Sequence, residues 1–174
     1  WKDGAKSSAK VVTGNAEAIS AENWQGKSYS AANKVNIADY FEENTQYHYQ
    51  YTDNYTGDDS VWSAEYDYTT KVTDKFSVIL TGDPQVGASG SSSDYSANDA
   101  SVARDAYNWN KTMQQALKTC PDASFLLSAG DQINQSGATK DNDKKTRESE
   151  YAGYLYTSVF RSLPIAATIG NHDM

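Results

Sequence analysis

Phe76-Ser-Val-Ile-Leu-Thr-Gly-Asp83, Ser124-Phe-Leu-Leu-Ser-Ala-Gly-Asp131 and Leu163-Pro-Ile-Ala-Ala-Thr-Ile-Gly-Asn171 follow one pattern: an apolar run, a glycine, then a side chain able to bind metal. Short apolar runs bounded by turn residues read as buried strands. Between the first two, Asp99–Lys118 reads as a helix, with Val102, Ala106, Trp109, Met113, Ala116 and Leu117 near a 3.6 period, Asn98 as N-cap and Pro121 past its end. Between the second and third, a polar loop over 135–145 precedes a helix expected from about Glu148 to Ser162. Strand, helix, strand, helix, strand is a βαβαβ unit with a parallel sheet.

Sites in open parallel sheets form beyond the carboxyl ends of the strands, where Asp83, Asp131 and Asn171 fall. Neighbouring strands lie about 5 Å apart, so two carboxylates and an amide oxygen can meet in one small volume. Two carboxylates crowded together repel unless a cation lies between them, so the recurrence points to a metal site. A glycine before each ligand permits a sharp turn and leaves room for an ion.

Upstream of Lys75 the pattern is different. Seven of the 13 tyrosines fall between Tyr40 and Tyr68. Tyr47, Tyr49 and Tyr51 alternate along one strand face, as do Trp62, Ala64, Tyr66 and Tyr68 along another, with turn chemistry from Asn54 to Ser60 between them. Ala9–Thr13 and Ser30–Ile37 read as weaker strands. Residues 1–73 are therefore expected to form an all-β sandwich, and residues 74–174 an α/β domain. His48 reads as a strand-surface residue. Asp141, Asp143, Glu148 and Glu150 invite a calcium reading but lack the glycine of a calcium loop, so a solvated polar loop is expected there.

The chain has 174 residues, with 15 basic against 23 acidic side chains and a net charge of −8. That balance disfavours nucleic acid or an anionic membrane as partner and permits a small phosphorylated ligand if a metal supplies local positive charge. Cys120 is the sole cysteine, which excludes an internal disulfide and a cysteine-based zinc site. No apolar run is long enough to span a membrane. The sequence starts at Trp1 without Met and without a signal peptide, so a trimmed N-terminus is expected.

Gly82-Asp83-Pro-Gln85, Gly130-Asp131-Gln-Ile-Asn134 and Gly170-Asn171-His172-Asp173 resemble the first three motif blocks of the calcineurin-like metallophosphoesterase superfamily, in order and in spacing, with 48 and 40 residues between ligands. The stretch from Val35 to Tyr51, with Trp62-Ser63 and Tyr68-Thr-Thr70, is similar to the end of the fibronectin-III-like domain that precedes the catalytic domain of purple acid phosphatases. The resemblance covers most of residues 30–174. It implies a fibronectin-III-like domain over 1–73 and the first βαβαβ portion of a double-sheet phosphoesterase fold over 74–174.

It further implies that Asp83 is a ligand of a first metal, that Asp131 bridges two metals and that Asn171 holds the second. His172 would contact the phosphoryl group and assist the leaving oxygen, with Asp173 orienting its imidazole. The implied chemistry is hydrolysis of a small-molecule phosphoester at two metal ions, iron, zinc or manganese, in a secreted or cell-envelope protein.

The sequence departs from the family at Gln85, where a histidine is usual, and at Asn134, where purple acid phosphatases carry tyrosine. Gln85 can lend an amide oxygen or merely bond the loop backbone. The family's later histidine ligands lie beyond Gly-Asn-His-Asp, and the chain holds just His48 and His172. The expectation is an internal fragment, inactive alone, whose catalytic remainder comes from a missing C-terminal part or another chain. The alternative is an extracellular binding protein with a non-catalytic phosphoesterase-like domain, which Gln85 and Asn134 favour.

Overall fold

The computed structural model describes residues 1–90, 99–137 and 141–174, apart from the side chains of 141–143. The expected N-cap at Asn98, most of the Gly/Ser-rich stretch 87–97 that the sequence also marks as a loop, and positions 138–140 lie outside the described residues. The chain divides into two compact units, Trp1–Ala18 with Ala31–Phe76, and Ile19–Ser30 with Ser77–Met174. It is a small mixed α/β chain with several small sheets. Among the described residues no helix is long and apolar enough to cross a membrane.

The first four strands make two two-stranded sheets, which do not specifically bear out the expected sandwich. β1 (Asn15–Glu22) pairs with β2 (Ser28–Lys34), and β3 (Gln46–Tyr49) with β4 (Tyr66–Thr69). A sandwich needs each sheet to turn an apolar face inward. β1 and β2 are exposed at nearly every position, so they have no such face. The expected strand at Ala9–Thr13 is absent, and Ser30–Ile37 is displaced to Ser28–Lys34.

In the first unit the antiparallel β3–β4 pair sets Tyr47 opposite Tyr68 and Tyr49 opposite Tyr66. Phe41 packs on both Tyr47 and Tyr68, with ring centroids 4.8 and 5.3 Å apart. The buried Tyr47 ring is a core element, and its hydroxyl accepts the Glu42 N–H at 2.8 Å. Such cross-strand aromatic pairs are the main stabilisation available to so narrow a ribbon.

The second unit is organised by β5 (Ser77–Thr81), β6 (Ala123–Ser128) and β7 (Ile165–Ala167), all parallel in the order β5-β6-β7. Helix α1 (Asp99–Thr119) buries Val102, Ala106, Trp109 and Met113, one stripe at helical spacing. Trp109 stacks on Tyr154 at 5.4 Å and donates its indole N–H to the Tyr154 carbonyl at 3.0 Å. That residue belongs to α2 (Asp141–Leu155), which begins earlier than expected and ends earlier. A separate 3₁₀ turn, Ser158–Arg161, follows it, capped by Thr157. Leu126 and Val86 complete the core beneath the helices, while Leu80 is 68% exposed.

Candidate functional site

The β5–β6 ladder continues past both strands. Asp83 N–H donates to the Gly130 carbonyl at 3.1 Å, Gln85 N–H to Asp131 at 3.0 Å and Val86 N–H to Gln132 at 3.1 Å; Asn134 N–H donates back to Val86 at 3.1 Å. The first and second loops are thus zipped together by backbone. Asp83, Gln85 and Asp131 sit at φ +56°, +36° and +53°. Left-handed backbone is unfavourable for residues bearing a Cβ and persists where the surroundings enforce it, which is common at functional sites.

The third loop locks onto the second. His172 N–H donates to Asp131 Oδ1 at 2.8 Å. The Asp173 carboxylate accepts three backbone N–H groups, from Asp131 (2.7 Å), Gln132 (3.0 Å) and Gly170 (2.8 Å), and the Tyr151 hydroxyl at 3.3 Å. A Cβ at Gly130 would lie 2.7 Å from Gly170 N, and one at Gly170 would collide with Asp131 Oδ1. Backbones this close leave space for no side chain at either position.

The structure therefore joins the backbones that carry Asp83, Gln85, Asp131, Asn171, His172 and Asp173. Asp83 and Asn171 are exposed, while Gln85, Asp131, His172 and Asp173 are half-buried. Among the described residues neither the Asp83 nor the Asp131 carboxylate takes part in an ion pair. Asp173 differs from its expected role: its oxygens clamp the loop backbones, and the imidazole Nδ1 of His172 faces the Asn134 carbonyl instead.

Helix α2 supplies two residues whose part in the site the sequence did not announce. Arg147 donates to the carbonyls of Gln135 (2.8 Å), His172 (2.8 Å) and Asp173 (2.7 Å), tying the second loop to the third. Glu150 is a correction to the expected solvated loop. It is 3% exposed and accepts the N–H groups of Asn134 at 3.1 Å and Gln135 at 2.7 Å. Burial raises its pKa to about 7, against the lowering effects of those two N–H groups and of Arg147 and His172. Its other oxygen fills the space that a side chain at Gly87 would need. Asp105 of α1 holds the first loop in turn, accepting from Gly87 N–H at 2.9 Å and Ser89 N–H at 3.1 Å.

The first unit holds a second polar cluster. His48, Glu65 and Asp67 each offer a ligand atom, and these atoms lie within 4.8 Å of one another. His48 faces Asp67 directly across the β3–β4 ladder. The alternation that puts Tyr66 and Tyr68 on one face puts Glu65 and Asp67 on the other, which was the signal available in the sequence.

No protein-family model matches the chain, and no curated protein matches it. A solved structure that does match is that of purple acid phosphatase PPD1 from yellow lupin (Lupinus luteus) seeds. The identity is 19% and the TM-score 0.43, over 75% of this chain and 21% of that one. The chain thus spans about a fifth of that protein's length.

Proposed function

We propose that this chain carries the first half of the site of a metal-dependent phosphoester hydrolase, with Asp83, Asp131, Asn171 and Gln85 as metal ligands and His172 at the reacting group. The observation that carries the reading is the three-loop lock at one end of a parallel sheet, in which Asp131 Oδ1 is pinned by His172 N–H at 2.8 Å and packs where a side chain on Gly170 would lie. The donor set is also chemically apt: two carboxylates without an ion-pair partner among the described residues, together with amide oxygens, suit a hard or borderline cation. Bound there, metal ions would draw charge from a phosphoryl group and let water react near neutral pH. The missing histidine donors would come from a part of the protein outside these 174 residues, and export of the whole protein belongs to the same proposal.

The chain's own residues would divide the work as follows. Asp131 is fixed in orientation by the third loop before any ligand arrives, so little ordering remains to be done on binding. The Asn134 carbonyl can only accept, so His172 Nδ1 carries a proton toward it. Nε2 is then the nitrogen available to the leaving oxygen, and it can donate when the ring is doubly protonated. Asp173 and Arg147 act on backbone and hold the loops together; Asp173 needs no direct contact with the imidazole to do so.

Hydrolysis of an aryl phosphate by the protein carrying this chain with its catalytic remainder, alongside metal analysis, tests the proposal. Bound metal and turnover, both reduced at least about 100-fold in Asp131→Asn, are expected. Full metal binding and turnover in that variant would refute the assignment. No metal and no turnover with any divalent ion would favour a binding protein, the reading that Gln85 and Asn134 support.

A further inference from the structure

We propose that His48, Glu65 and Asp67 form a binding site for a divalent transition-metal cation of the zinc type on the β3–β4 ribbon. The site is independent of the strand-end loops, since every residue it uses belongs to the first unit.

The His48 imidazole is surrounded by carboxylates. Its Nδ1 lies 2.7 Å from Asp67 Oδ1 and 3.5 Å from Glu65 Oε1, and Nε2 lies 3.4 Å from Asp3 Oδ1. A neutral imidazole carries one N–H, so a neutral ring here must set one nitrogen lone pair against carboxylate lone pairs. A proton or a metal cation on the Nδ1 side relieves that conflict. With a metal on Nδ1, Nε2–H donates to Asp3, the carboxylate–histidine arrangement that fixes the tautomer of metal-bound imidazoles.

The spacing suits the ion. Bonds of about 2.0–2.1 Å in a tetrahedral shell place donor atoms roughly 3.3 Å apart. The nitrogen-to-oxygen separations of 2.7 and 3.5 Å bracket that value, so small side-chain rotations suffice. Position is set by the fold: His48 and Asp67 are paired across the ladder, Glu65 lies two residues before Asp67, and the ring stacks on Trp1 with centroids 5.9 Å apart. The imidazole side chain is 14% exposed.

Charge favours a cation as well. Among the described residues, the one lysine or arginine paired with any of these carboxylates is Lys6, which binds Glu65 through Oε2 at 3.0 Å and leaves Oε1 toward the ring. Asp67 first, with Asp3 and Glu65 adding to it, also raises the imidazole's affinity for a proton, so proton and metal compete. One nitrogen and two carboxylate oxygens form a mixed, borderline donor set that suits zinc better than calcium or magnesium.

The test is a titration of the 174-residue chain with Zn²⁺ alone at mildly alkaline pH, by calorimetry and by NMR of the two imidazole rings. A saturable one-to-one step that moves the His48 ring nitrogens is expected. His48→Ala and the near-isosteric Asp67→Asn should each weaken it by about 10- to 100-fold. Two results overturn the proposal: His48 resonances that respond to pH but ignore excess Zn²⁺, or a folded Asp67→Asn chain that binds as tightly as the parent. His172, read in the same spectra, reports on the strand-end loops separately, so failure at one place is not mistaken for failure at the other.

Discussion

Replacing Gly130 by alanine should destabilise the second unit by about 3 kcal/mol, and the components of that figure can be worked from the structure. Gly130 sits at φ +104°, beyond the left-handed well that other residues tolerate, at a cost of about 1–3 kcal/mol. The new Cβ would lie 2.7 Å from Gly170 N, 2.8 Å from Gly170 Cα and 3.2 Å from the Ile169 carbonyl carbon. All three are backbone atoms, so no rotamer change relieves the overlap. The third loop must retreat by several tenths of an ångström, and the Gly170 N–H donation to Asp173 at 2.8 Å weakens. A charge-assisted bond of this kind contributes about 1.5–3 kcal/mol. Against these terms, alanine restricts the unfolded chain and recovers about 0.4–1 kcal/mol.

Urea unfolding, followed at the backbone amides of β6 so that the second unit is read by itself, measures the difference. Gly26→Ala is the control, because Gly26 also has positive φ, +74°, yet a Cβ there meets nothing within 4 Å. It should cost about 1 kcal/mol through strain alone. If Gly130→Ala costs no more than Gly26→Ala, the second and third loops are not in contact and the candidate site has no basis.

Two further outcomes are expected. Folded Glu150 titrates near 7 and its unfolded form near 4.5, so the native state binds the extra proton between those values and stability falls as pH rises through them; after allowance for residual solvent screening, the wild type should lose roughly 2 kcal/mol relative to Glu150→Gln over that window, read from urea midpoints at both ends. Gly153→Ala places a Cβ 2.9 Å from Val102 Cγ1 and Val86 Cγ1, an overpacking worth about 1–3 kcal/mol, and the double variant with Val102→Ala should cost about 1 kcal/mol less than the sum of the singles in the same unfolding assay.

The parallel sheet was legible because its strands are short apolar runs, each ended by a glycine. Expectation and structure there differ by one or two residues at most ends, as with Phe76–Thr81 against Ser77–Thr81. Helix α1 was legible from its stripe of Val102, Ala106, Trp109 and Met113. Helix α2 was legible as a helix but not in its bounds, since its first half, from Asp141, was read as loop, and the reason is chemical. The side chains it buries include Thr146, Ser149 and Glu150, so hydrophobic periodicity is silent over the turns that approach the site. The same polarity made Glu150 look solvated. Its burial depends on two N–H groups from a loop fifteen and sixteen residues away, which no local pattern encodes. Hairpin β1–β2 was misplaced because its alternation of alanine, serine and charged residues has no apolar side.

The left-handed residues connect these observations. Asp83, Gln85 and Asp131 carry a conformational cost that glycine would avoid, and two of them are acidic. Packing does not explain the choice, since the Asp83 side chain is exposed and contributes nothing to the core. What holds the strain in place is polar: the zipped backbone of the first two loops, the Asp173 carboxylate on three N–H groups, and Arg147 and Glu150 reaching in from α2. A fold that needed only a turn at these positions would relax under substitution of the acids by glycine or asparagine. Stability retained or improved in Asp83→Gly and Asp131→Asn would therefore mean that the carboxylates are kept for something other than folding, which is what a metal-ligand role requires.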